Sequence, residues 1–133
     1  MKKSAPNKQL VLIVDSDLAR ATALHNACVE RDFRTVVTRD LPTALLMISQ
    51  HVFDAAVFSS RVSEEADGWS LAAVFRLVFP RSYVAVIARE RSVTSLQAAI
   101  NYGADELFES AESPDHVVRG VLAALSGRSS SVQ

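Results

Sequence analysis

An α/β domain built on a parallel sheet is the fold class this sequence predicts, on three observations. Five short apolar runs alternate with five segments of helical periodicity. Most of those runs are continuously apolar, as strands buried on both faces are. Proline and glycine are scarce, four of each in 133 residues, and most mark where segments begin or end. Parallel strands need crossover connections, and helical crossovers cover both faces of the sheet.

Leu10 to Val14 is the first apolar, β-branched run and reads as a strand. Leu18 to Arg31 follows as a helix, with Ala21, Leu24, Ala27 and Cys28 on one face and Arg20, His25, Asn26 and Glu30 off it. Thr35 to Thr38 is the second strand. Asp40 and Pro42 open the next helix as a cap and an early-turn proline, and it carries Leu45, Leu46 and Ile48 as far as His51. Ala55 to Phe58 is a third strand, and Trp69 to Phe79 a helix ended by Pro80. Tyr83 to Ala88 is the fourth strand, Val93 to Tyr102 a helix stopped by Gly103, and Glu106 to Phe108 the fifth strand. Ser113-Pro114 caps a last helix with Val117, Val118, Val121, Leu122 and Leu125, and Gly120 sits inside it at some cost.

The length suits one domain, placed at residues 9–125 between a flexible start (1–8) and a flexible Ser-rich tail (126–133). A net charge of −1 with no Lys/Arg run argues against direct nucleic-acid binding, which draws its affinity from a basic surface. Cys28 is the single cysteine, so no internal disulfide forms; the start Met-Lys-Lys-Ser lacks a signal-type apolar stretch, and a cytoplasmic location is expected. Unbroken apolar runs end at six residues, Tyr83 to Ala88, against the ~20 that span a bilayer, so no membrane association is expected.

In open parallel sheets the ligand site lies at the carboxyl ends of the strands. After the first strand stand Asp15, Ser16 and Asp17, where a phosphate-cradling loop would carry glycines. The pair of acids admits two accounts. One is a hard-cation site; the other makes Asp17 the cap of the first helix and Asp15 a buried acid paired with a base. Ser59, Ser60 and Arg61 follow the third strand, Arg89, Glu90 and Arg91 the fourth, and Glu109 and Ser110 the fifth. Arg61 or Arg89 is the expected partner of Asp15, supplying the charge a metal would supply elsewhere. His25, His51 and His116 show no ligand-like spacing, and Cys28 reads as an inert core residue. Trp69 is either an exposed contact anchor or partly buried against its helix.

From Leu10 to Leu125 the chain resembles the receiver domain of two-component response regulators, a flavodoxin-like fold with strand order 2-1-3-4-5. The resemblance rests on Val14-Asp15-Ser16-Asp17, on Phe53-Asp54-Ala55-Ala56-Val57-Phe58-Ser59 followed by Asp67-Gly68, and on Gly103-Ala104-Asp105-Glu106. It implies an aspartate phosphorylated at the end of the third strand, Mg²⁺ on neighbouring acids, and a Thr/Ser and a Lys reading the phosphoryl group. Aligned on those motifs, the acceptor position holds Ser59, the second acid is Ser16, the Thr/Ser is Ala88 and the Lys is Ser110; Asp15 alone remains. A serine hydroxyl needs a base before it can attack phosphorus, and Ser59 has none in view beyond Asp15. Two lost carboxylates weaken any Mg²⁺ site. Asp54 lies five residues before Ser59, ~16 Å away along an extended strand, and cannot substitute. Asp67 reads as a turn or cap residue.

The function expected is a stand-alone, degenerate receiver that signals by protein–protein contact without aspartyl phosphorylation. It is not an enzyme and needs no cofactor or metal. Its partner acts in trans, a signalling protein or histidine kinase-type component, with a homodimer as an alternative. In the family such contacts use the fourth helix, fifth strand and fifth helix, here Arg91, Ser95, Gln97, Tyr102, Glu112 and Arg119. The competing functions are a phosphorelay regulator with a non-standard acceptor such as Ser59, and a small-ligand module using Arg61 and Arg89 as anion clamps.

Overall fold

The computed structural model describes residues 8–62 and 67–131, with side chains through residue 127. Along the chain run β1 (Leu10–Val14), α1 (Leu18–Glu30), β2 (Arg34–Thr38), α2 (Leu41–Gln50), β3 (Ala55–Ser59), α3 (Gly68–Val78), β4 (Tyr83–Ala88), α4 (Val93–Tyr102), β5 (Glu106–Glu109) and α5 (Pro114–Ser131). Every strand pairing is parallel, in the order β2-β1-β3-β4-β5. The winding therefore reverses between β1 and β3, and the ligand crevice of such sheets opens there.

Period-two alternation sends each strand's side chains to two cores. Val11, Ile13, Ala55, Val57, Ala85, Ile87 and Phe108 pack against Leu24, Cys28, Val117, Val118 and Val121 of α1 and α5. Leu12, Val14, Ala56, Phe58, Val84 and Val86 pack against Ala44, Ile48, Leu71 and Phe75 of α2 and α3. A smaller cluster of Ala88, Ala99 and Leu107 seats α4. The two edge strands are the exceptions to continuous burial: in β2 only Thr38 is buried, and in β5 only Leu107 and Phe108 are.

Helix starts follow the sequence signals. Asp17, Asp40 and Asp67 accept from the backbone N–H groups of Arg20, Thr43 and Ser70 at 3.1, 2.8 and 2.8 Å. The Thr43 bonds hold the Asp40 carboxyl below the usual carboxylate range. Ser113 caps α5 through the His116 N–H at 3.1 Å. Gly103 ends α4 with φ of 80°, a left-handed geometry that costs glycine little.

At the amino ends of the strands, two aspartates tie neighbours together. Asp54 accepts from the Leu10 N–H and Asp105 from the Val84 N–H, both at 2.8 Å. Asp54 thus belongs to the opposite end of the sheet from Ser59. Arg76 of α3 clamps the same end, donating to the carbonyls of Pro80, Ser82 and Gly103 and pairing with Asp105.

Three positions refine the sequence picture. The backbone of α5 continues to Ser131, past the boundary that composition sets after Leu125, so the start of the Ser-rich stretch is helical. The expected flexible start lies, apart from Lys8, outside the described residues; Lys8 itself pairs with Asp32 at 3.0 Å. Gly120 has a packing reason: a Cβ there would come within 2.9 Å of the Phe108 ring.

Cys28 is fully buried, and desolvation pushes its thiol from 9.0 up to about 11, with Arg31 opposing. It stays neutral at physiological pH, as an inert core residue does. Among the described residues no helix is long and apolar enough to cross a membrane.

Candidate functional site

The carboxyl ends of β1, β3, β4 and β5 form a cleft of about 400 Å³ lined by Arg20, Ser59, Ser60, Arg61, Ile87, Ala88, Arg89 and Ser110. Asp15 lies below it, 1% exposed. Its backbone N–H extends the sheet by donating to the Thr38 carbonyl at 3.1 Å, which fixes the carboxylate at the strand's end.

The partner of that carboxylate is Arg20, which corrects the expectation of Arg61 or Arg89. Arg20 Nε donates to Asp15 Oδ2 and Nη2 to Oδ1 at 3.0 Å, a bidentate fork. The Asp17 N–H donates to the same Oδ1 at 2.9 Å. The hydrogen bond that Arg20 donates to Asp15 raises the guanidinium pKa further above its ordinary value. Helical Cα–Cβ bonds tilt toward the N-terminus, so a first-turn side chain can reach back over the strand that feeds the helix. A helical wheel places Arg20 in solvent because it lies off the apolar face; only its position in the first turn, five residues after Asp15, signals the pair.

Ser59 is buried, and its hydroxyl donates to the Arg61 carbonyl at 3.1 Å. Arg20 Nη2 stands 3.5 Å from the same oxygen, the long limit of a hydrogen bond. The Ser59 proton thus faces a neutral carbonyl, and its other side faces a cation. Neither neighbour is a base, so the hydroxyl has no route to an alkoxide. Ser16 is exposed, its carbonyl accepting from Arg39 at 3.1 Å. Ala88 ends β4 with no polar atom on its side chain, and Ser110 Oγ donates to the Arg89 carbonyl at 3.4 Å.

The resemblance implies Mg²⁺ here, and the donor set does not fit it. Both oxygens of Asp15 are engaged by Arg20, Asp17 is engaged as a helix cap, and positions 16 and 59 offer neutral hydroxyls. A guanidinium already stands on the one buried carboxylate, where a second cation would be repelled. Among the described residues no group of three or more His, Cys, Asp or Glu side chains could hold a metal ion.

The expected partner surface is only partly available. Gln97, Tyr102 and Arg119 are exposed. Ser95 is tied into the capping box of α4 with Ser92, and Glu112 accepts from the Glu109 N–H at 2.6 Å and pairs with His116 at 3.2 Å. Arg91 is exposed but anchored to the Leu107 carbonyl at 2.7 Å. Trp69 is half-buried and packs near Tyr102, ring centroids 6.4 Å apart. Sequence reasoning missed an apolar stripe on α4: Val93, Leu96 and Ile100, at helical spacing, are 81%, 45% and 80% exposed. The spacing was visible, but periodicity alone assigns such a stripe to the core.

No family model and no curated protein matches the chain in sequence. Solved structures do match in shape. A CheY-like response regulator receiver domain protein from Methanospirillum hungatei superposes with a TM-score of 0.85 at 17% identity, over 94% of this chain and 99% of that one. The signal receiver domain of an HD domain-containing protein from Pseudomonas fluorescens gives 0.82 at 18% identity, over 93% and 99%. A response regulator from Burkholderia pseudomallei, solved with a phosphorylated aspartic acid, a calcium ion and citrate, gives 0.78 at 16%, over 93% and 73%. With its five parallel strands in the order 2-1-3-4-5 and its site at their carboxyl ends, the chain has the fold of a CheY-like response regulator receiver domain.

Proposed function

We propose that this chain is a degenerate receiver that acts in two-component-type signal transduction, in the cytoplasm, through contact with another protein and without aspartyl phosphorylation. The observation that carries the reading is the Asp15–Arg20 pair set against a serine at position 59. Aspartyl phosphorylation needs an ionised carboxylate as nucleophile and further carboxylates free to hold the divalent cation that assists it. Here the nucleophile position carries a hydroxyl bonded to a carbonyl, and the remaining buried acid, Asp15, has both oxygens engaged by Arg20 and is free neither to attack nor to hold a metal. For the same reason the chain is not assigned an enzymatic role: no nucleophile–base–orienter set exists among the described residues of the cleft.

The chemistry is tested by incubating the protein with acetyl phosphate and Mg²⁺ and measuring intact mass. The mass is expected to stay unchanged. A stoichiometric, hydroxylamine-labile phosphoryl adduct overturns the reading, and its loss in Asp15→Ala or Asp17→Ala would then locate the acceptor.

Contact is assigned to α4, whose exposed apolar stripe is the kind of surface that marks association. Ile100→Asp is expected to abolish retention of the partner from an extract of the native cells. Because the side chain is 80% exposed, stability should change by less than ~0.5 kcal/mol. Retention that survives both Ile100→Asp and Val93→Asp places the contact on another face.

A further inference from the structure

Most guanidiniums among the described residues are committed. Arg20, Arg31, Arg76 and Arg119 are ion-paired, and Arg34, Arg39 and Arg91 donate to backbone carbonyls. Arg61 and Arg89 have no side-chain hydrogen bond or ion pair among the described residues. Both are exposed, and both line the cleft above Asp15.

From this convergence we infer that the cleft is an anion site for a small phosphorylated ligand, a phosphate or diphosphate ester, clamped between Arg61 and Arg89. Among the described residues three guanidiniums line the cleft and one buried carboxylate, Asp15, lies beneath it, a balance that is positive. No acid is among its described lining residues. Arg20 is held in place by Asp15 and forms a fixed cationic floor, while Ser60 brings a hydroxyl to the wall. Arginine's planar fork matches phosphate oxygens two at a time, and two uncommitted forks suit a dianion. At about 400 Å³ the cleft falls in the range of small-molecule sites and is too small for a folded partner. Binding there is non-covalent and uses neither a carboxylate acceptor nor a metal.

The test is calorimetric titration of the full chain with inorganic pyrophosphate in the presence of EDTA. One saturable site per chain is expected. Arg61→Ala and Arg89→Ala should each weaken it by about tenfold, the loss of a charge-assisted hydrogen bond, and the double variant should not bind measurably. Both variants should keep the parent melting temperature, because neither side chain supports the fold. Arg119→Ala, on the surface of α5, removes the same charge elsewhere and should leave binding unchanged. No saturable binding, an equal loss in Arg119→Ala, or tighter binding of malonate than of pyrophosphate overturns the assignment. None of these outcomes bears on phosphorylation or on the α4 contact.

Discussion

Replacing Arg20 with alanine is expected to lower stability by about 3 kcal/mol, because it strands a buried carboxylate. Breaking a buried ion pair from one side typically costs ~3–5 kcal/mol, most of it the penalty for the charge left behind. The lower end applies here: Arg20 is 22% exposed, so water can partly follow when the side chain is removed. The Asp17 N–H still donates to Asp15 Oδ1 in the variant, which is one bond where the parent has three. For a chain of this size ~3 kcal/mol corresponds to roughly 10 °C in melting temperature.

Urea unfolding of Arg20→Ala, Asp15→Ala and the double variant, read as a cycle, checks the origin of the loss. A coupling above ~1.5 kcal/mol identifies the pair as its source. Replacing both residues with apolar ones of similar shape, Asp15→Leu with Arg20→Met, should cost far less than Arg20→Ala alone, since no charge is then left unpaired. A loss below ~0.5 kcal/mol in Arg20→Ala would show that Asp15 is satisfied by other means, and the argument against phosphorylation would lose its electrostatic half.

The same pair shows where the sequence could and could not be read. The strands and helices, the two cores and the aspartate caps follow from local signals: β-branched runs, 3.6-residue periodicity, and Asp or Ser placed just before an apolar run. The strand order comes from the receiver resemblance. The replacements at Ser16, Ser59, Ala88 and Ser110 are equally local, because the motif frame fixes their positions. What was not legible is side-chain reach. Three arginines stand near the end of the sheet, and which one meets Asp15 depends on the direction of a Cα–Cβ bond in the first turn of α1 and on a flexible stem. Periodicity orders residues around a helix but says nothing of how far a long polar side chain folds over its end. The α4 stripe failed for the reverse reason: its spacing is right for a buried face, and only the placement of α4 beside β5, with Ala99 alone fully buried, leaves Val93 and Ile100 in solvent.

Gly68→Ala is expected to be about as damaging as the loss of Arg20, through sterics alone. Gly68 begins α3, and its N–H donates to the Ser60 carbonyl at 2.9 Å. A Cβ built there would stand 1.8 Å from the Ser59 carbonyl oxygen and 2.8 Å from its carbon. Both obstacles are backbone, so no rotamer change can relieve them. The left-handed region is not involved, since Gly103 is the glycine with positive φ. Alanine must therefore push the start of α3 off the end of β3, losing the Ser60 bond and disturbing the packing of Leu71 and Ala72 below it. Overpacking of this kind costs ~1–3 kcal/mol, and a backbone obstacle argues for the upper end, roughly 10 °C. Gly127→Ala is the control: nothing lies within 4 Å of its Cβ, and alanine in a helix should be neutral or stabilise by up to ~1 kcal/mol. Because the start of α3 packs directly on the backbone of Ser59 and Ser60, which line the cleft beside Arg61, Gly68→Ala should also weaken pyrophosphate binding, whereas Gly127→Ala should not. A melting temperature within 2 °C or so of the parent would mean that β3 and α3 are not locked together at Gly68. The cleft would then lack the rigid wall on which both the Ser59 geometry and the Arg61 clamp depend.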